Sequence, residues 1–148
     1  MLKRIPKIIS PELMKCMMEM GHADTMILAD ANFPGTSHAK RIIRMDNVEI
    51  PELLEAILPY FPLDNFIPDP VKLMPNLPSE PVPQIWETYR EILKKNNEEE
   101  AFEDFAFIDR LPFYEVAEQA YVIVQTGDTS RYANIILQCA EDTVLLEQ

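Results

Sequence analysis

Glycine is scarce in this chain: three residues in 148, against thirteen prolines. Neither GxGxxG nor GxxxxGK occurs, so the glycine-rich phosphate cradles of common nucleotide sites are excluded. Cysteine is scarcer still, with Cys16 and Cys139 near opposite ends and no CxxC spacing. That removes zinc knuckles and redox dithiols, and two buried free thiols are expected. Histidine occurs twice, as His22 and His38. Asp24, Asp30 and His22 carry metal-ligating groups, but two histidines are few for such a centre, and no metal or other cofactor is expected. Positive charge is in deficit: 13 Lys and Arg face 25 Asp and Glu, for a net charge of −12. A surface of that sign does not neutralise phosphates, which excludes nucleic acid and anionic membranes as partners. No apolar run approaches a membrane span, and MLKRIPKIISPEL has basic residues but no apolar core of a signal peptide. The expected location is cytoplasmic.

What remains is 47% apolar, enough for one compact domain over 1–148 with a substantial core. Ser10-Pro11-Glu12 reads as a helix start, with Leu13, Met14, Met17 and Met18 as a core stripe and Gly21 as the stop. Thr25 to Ala29 is a buried strand, and Asn32 to His38 a loop. Arg41–Met45 and Val71–Met74 read as strands, and Pro51–Leu58 and Gln84–Lys95 as helices. Phe105 to Arg110 is strand-like until its charged end. Phe113–Ala120 is a helix, Tyr121–Val124 a strand, and Ala133–Leu137 a last strand. The acidic turn Asn96–Glu100 reads as a solvated connection. Alternating helices and strands give an α/β fold, a layered domain with a central β-sheet flanked by helices.

Polar groups at strand ends are where such folds place their chemistry. In GHADTMILADANFP, His22 precedes a strand and Asp30 follows it. Arg110 ends FAFIDR. Tyr132 and Asn134 lie two apart in RYANIIL, a spacing that on a strand points both side chains to one face. Together they offer the donors, acceptors and ring that grip sugar hydroxyls. Each also has a plainer reading. His22 can bond a helix-end carbonyl, and Asp30 can cap the next turn. Arg110 can pair with Asp109 or Glu115, and Asn134 can close a neighbouring loop. No GxSxG elbow or cysteine–histidine pair is indicated.

Three segments carry a family resemblance: ISPELMKCMMEMGHADTMILADANFP, IDRLPFYEVAEQAYVIVQTGD and YANIIL. In this order they resemble the fucose mutarotase and ribose pyranase family (RbsD/FucU), over essentially the whole chain. Arg110 and NFPGTSHAKRIIRMDN are closer to the fucose-type branch, whereas NNEEEAFEDFAF ahead of Arg110 departs from it. The resemblance implies an isomerase that interconverts the α and β anomers of L-fucose without a cofactor. It implies His22 as the catalytic acid/base, with Asp30, Arg110, Tyr132 and Asn134 binding the sugar. It also implies a homo-oligomer, a ring-based decamer or octamer. The unperturbed imidazole pKa of roughly 6.5 suits a group that must both give and take a proton. Ribose pyranase and a non-catalytic sugar-binding protein are the competing readings.

Overall fold

The aliphatic run beginning at Thr25 pairs on both edges, and the sheet grows outward from it. A computed structural model of the chain describes residues 2–140. The span 1–148 expected as one domain therefore includes residues 1 and 141–148, which lie outside the described residues. In chain order the elements are α1 (Pro11–Glu19), β1 (Thr25–Ala29), α2 (Gly35–His38), β2 (Ile42–Met45) and α3 (Ile50–Ile57). A 3-10 turn at Leu58–Tyr60 precedes β3 (Val71–Leu73), α4 (Gln84–Lys95), β4 (Ala106–Phe107), α5 (Arg110–Gln119), β5 (Val122–Thr126) and β6 (Ile135–Gln138). The strands form one sheet in the order β2-β5-β1-β6-β3-β4. β1 runs parallel to β5, β5 to β2, and β3 to β4, while β6 is antiparallel to both β1 and β3. The expected α/β class therefore holds, as a mixed sheet with one reversed strand.

The central strands read as unbroken apolar runs because both faces are covered. Alternate residues feed two cores. Met26, Leu28, Val122, Val124, Ile135 and Leu137 join the larger one with α3 and α4. Ile27, Ala29, Ile123 and Ile136 join the smaller with Phe113 and Ala117 of α5. Helix α4 shows why its boundaries were readable. Trp86, Tyr89 and Leu93 recur at helical spacing and are buried, and Lys94 and Lys95 complement the C-terminal dipole.

Other expectations are corrected. Ser10 does cap α1, accepting from the Leu13 N–H at 3.1 Å. In the methionine stripe Leu13 is fully buried but Met18 is 79% exposed. At 100° per residue, Met18 rotates off the side that Leu13 and Met17 turn inward. α1 does stop just ahead of Gly21, with Met20 as its cap in extended backbone, and the positive φ of the following turn falls on Ala23, at 71°. Cys139 is buried and Cys16 only half so, and neither forms a disulfide. The Asn32–His38 loop contains one helical turn, α2, and α5 begins three residues early, at Arg110.

One glycine is required by close approach. A Cβ on Gly127, in the turn after β5, would lie 1.9 Å from the Asp46 carbonyl oxygen after β2. Gly127→Ala is expected to cost about 1–3 kcal/mol through overpacking against backbone that cannot yield. Urea denaturation measures it, and an unchanged midpoint with an unchanged slope would show that the two turns are not in contact.

Candidate functional site

The reversal of β6 makes the site. β5 and β6 are not neighbours; β1 lies between them. The connection Gly127–Asn134 must therefore cross the C-terminal end of β1, where Asp30 emerges. The crossing is stitched at every step. Thr126 Oγ1 donates to Ala29 O at 2.7 Å, Ala31 N to Asp128 O at 2.8 Å, and Asp30 N to Asn134 Oδ1 at 2.7 Å. From β5, Gln125 Nε2 donates to Asp30 O at 2.6 Å and to Phe33 O at 2.9 Å. Gly35 makes room for it, since a Cβ there would meet Gln125 Oε1 at 2.1 Å.

Tyr132 does not lie on a strand. It has φ +54°, and β6 begins only at Ile135. The expectation that strand alternation aligns Tyr132 with Asn134 is therefore wrong in mechanism. A left-handed tyrosine costs about 1–3 kcal/mol and persists only where its surroundings over-determine it. Here α4 does so: Trp86 Nε1 donates to Tyr132 O at 2.8 Å, and Tyr89 Oη to Ala133 O at 2.7 Å. The Glu80 carboxylate accepts from the Tyr132 hydroxyl and holds its pKa above the ordinary phenol value.

The result is a cavity of about 280 Å³ whose lining includes Asp30, Asn32, Phe33, Tyr114, Tyr132 and Asn134. Asp30 is half-buried. Its Oδ1 accepts from Asn32 N at 2.9 Å, so the turn-capping reading of this residue is also correct. Burial pushes the Asp30 carboxyl above its usual pKa, against the lowering effect of the Asn32 and Phe33 amides. Asn134 closes the loop onto Asp30: its oxygen accepts from the Asp30 N–H, and its side-chain amide acts on the Asp30 carboxyl, lowering its pKa against the effect of burial. Phe33 packs edge-on to Phe113 with ring centroids at 5.9 Å. Phe113 is wholly core, while Phe33 also reaches the cavity.

Arg110 opens α5 at the same end of the sheet, because β4 runs parallel to β3 and delivers it there. The sequence offered Asp109 and Glu115 as partners; instead Arg110 Nε donates to the Tyr114 hydroxyl at 3.2 Å. One helical turn separates the two, so the guanidinium reaches the cavity rim through a ring that lines it. On its other side Tyr114 stacks on His38 at 5.1 Å, and His38 Nδ1 lies 3.2 Å from Glu118 Oε1. Sequence reasoning missed Tyr114. The signal was its i,i+4 spacing from Arg110, hidden while α5 was read as starting at Phe113.

His22 is not in this cavity. It lies in the exposed turn before β1, at the opposite end of the strand from Asp30. At about 3.3 Å per residue, the run from Thr25 to Asp30 alone spans roughly 16 Å. The ring contact of His22 is edge-on to Phe66, with centroids 5.5 Å apart. One chain thus brings together Asp30, Tyr132 and Asn134, with Arg110 at the rim, and holds His22 apart. The same separation means that His22, Asp24 and Asp30 do not converge as a metal-binding set.

Known proteins share this chain's sequence pattern and fold. The sequence model of the RbsD / FucU transport protein family matches residues 3–140. The fucose mutarotase of Danio rerio is 41% identical over 145 residues, covering 93% of this chain and 92% of that protein. The fucose mutarotase of Homo sapiens is 39% identical over 144 residues, with the same coverages of 93% and 92%. The crystal structure of the fucose mutarotase in complex with L-fucose from Streptococcus pneumoniae superposes with a TM-score of 0.88. It shares 45% identity, over 95% of this chain and 99% of that one.

The Asp30 environment yields a signed prediction. Its folded pKa is raised, so over the interval just above the ordinary carboxylate value the folded state holds more proton than the unfolded one. Its contribution to stability therefore falls as pH rises through that interval. Asp30→Asn is expected to unfold at higher denaturant than the parent at pH 7, with the gap closing as pH drops below 4. Parallel denaturation curves at the two pH values read this, and a gap independent of pH would contradict it.

Proposed function

The chain belongs to the RbsD/FucU family, and on that premise we propose that it is an L-fucose mutarotase. It is an isomerase that interconverts the α and β anomers of its sugar by opening and reclosing the ring. In the forward half, a base takes the proton from O1 while an acid delivers one to the ring oxygen. The C1–O5 bond breaks and an aldehyde forms. Rotation about C1–C2 presents its other face to O5, and the proton transfers run in reverse as the bond reforms. Protons and electrons balance without a redox partner.

The carrying observation is the cavity at the strand ends, where Asp30, Tyr132 and Asn134 converge and Arg110 reaches the rim through Tyr114. In this reading Asn134 and Arg110 supply donors, Tyr132 a hydroxyl and a ring, and Asp30 an acceptor for sugar hydroxyls. Tyr114 belongs with them, its hydroxyl already oriented by Arg110. His22 remains the general acid/base. Since it stands at the far end of β1, it serves a cavity of another copy: each site is completed by His22 of the partner subunit. The homo-oligomer is a ring-based decamer or octamer. The workplace is the cytoplasm, and no helix among the described residues is long and apolar enough to cross a membrane.

Saturation-transfer NMR of L-fucose tests the chemistry. His22→Ala should slow enzymatic anomer exchange by about 10²–10⁴-fold, the usual worth of one acid/base group. Full activity would remove His22 from the mechanism, and binding without any exchange in the parent protein would make it a sugar-binding protein. Faster ring exchange on D-ribose than on L-fucose would select the pyranase. Mixing tests the shared site. His22→Ala and Asp30→Asn, each inactive alone, should regain activity when co-refolded, because some interfaces then carry both intact halves. No recovery from a mixed assembly would place both residues in a site within one subunit.

A further inference from the structure

Phe66 sits where a soluble fold gains nothing from it. It is 68% exposed, and its ring contact is the edge-on one to His22 at 5.5 Å. An exposed phenyl forfeits most of the roughly 1.5–3 kcal/mol that burying it would contribute. Yet the loop that presents it is rigidly built. Asp64, only 1% exposed, accepts from Phe66 N through Oδ1 and from Gln138 Nε2 through Oδ2, both at 3.0 Å. Asp64 N donates to Gln138 O at 3.0 Å, and Leu63 pairs with Cys139. The turn carrying His22 is anchored to the same strand end: Ala23 N donates to Cys139 O at 2.9 Å, and Cys139 N to Asp24 O at 2.8 Å. A buried carboxylate requires full hydrogen bonding, and here that requirement is met by holding an aromatic ring out beside the imidazole.

We propose that Phe66 acts with His22 as one half of the sugar site, orienting the imidazole and covering the apolar side of the bound sugar. This rests on the mutarotase reading above and extends it to substrate choice. A 6-deoxy sugar carries a methyl on C5 and presents C–H bonds on one ring face, and an aromatic ring packs against both. The acid/base and the apolar wall then arrive together, on the loop pair that β6 ties at the end opposite the polar cavity. In the completed site Phe66 leaves water, which accounts for its exposure in the isolated chain. Phe66 is a positioning and specificity residue; it carries no proton.

The test compares Phe66→Ala, Phe66→Trp and His22→Ala with the parent full-length protein, by NMR exchange. The two sugars are L-fucose and D-arabinose, the latter the same pyranose without the C5 methyl. Phe66→Ala should lower kcat/KM for L-fucose by about tenfold, the scale of one lost methyl contact, with a smaller loss on D-arabinose. Its kcat–pH profile should shift, because the imidazole loses its neighbour, and Phe66→Trp should recover both the ratio and the profile. Unchanged kinetics of Phe66→Ala beside an inactive His22→Ala would overturn this proposal and leave the mutarotase reading intact. Equal losses on both sugars with an unmoved pH profile would overturn it as well. An active His22→Ala would instead remove His22 from the mechanism, and this proposal with it, whereas binding without exchange in the parent would overturn the mutarotase reading.

Discussion

The backbone N–H of Asp30 donates to the side chain of Asn134, a residue 104 positions away. That bond follows from a constraint of topology. A sheet with five co-directional strands and one reversed strand must bring its last connection over an end of the sheet. Because β6 pairs with β1 and not with β5, the connection passes directly above Asp30. Asp30, Tyr132 and Asn134 take their places from this crossing, while β4 and α5 deliver Arg110 and Tyr114. Asp128 shows how firmly it is held: buried, it accepts from Ile50 N at 3.0 Å and from Ser130 N at 2.8 Å, tying the crossing to α3 and to itself.

Stability and chemistry pull against each other at this end. Asp30 is kept half out of water, where its charge is disfavoured, and Tyr132 is held in a backbone conformation that tyrosine rarely adopts. Both costs are absorbed by the well-packed surroundings, namely Trp86 and Tyr89 of α4 on one side and Gln125 of β5 on the other. Two of the chain's three glycines, Gly35 and Gly127, are also spent where this end of the sheet is tightest. A chain so poor in glycine still places it where a methyl group would collide.

The two ends of β1 divide the proposed reaction. One carries hydrogen-bonding groups in a cavity, the other an exposed imidazole and an exposed ring. On the proposed reading neither is a complete site. In the proposed assembly, a second copy would bring proton transfer and sugar binding to the same atoms. On that proposal, specificity is a property of the assembly, with the polar contacts on one subunit and the apolar wall on the next.

Much of this was legible in the residues themselves. Apolar period fixes a strand from Thr25 to Ala29 and a helix from Gln84 to Lys95, because each is decided by burial of side chains close in sequence. Residue chemistry singled out His22, Asp30, Arg110, Tyr132 and Asn134. Sequence could not decide which of them meet. Strand alternation aligned Tyr132 with Asn134 for the wrong reason, since the left-handed turn at Tyr132 is stabilised by α4, over 40 residues away. It grouped His22 with Asp30 because they flank one strand, though a strand separates what it flanks. Local periodicity reports which residues want to leave water; only the path of the chain, set by long-range strand pairing, determines which polar groups share a cavity.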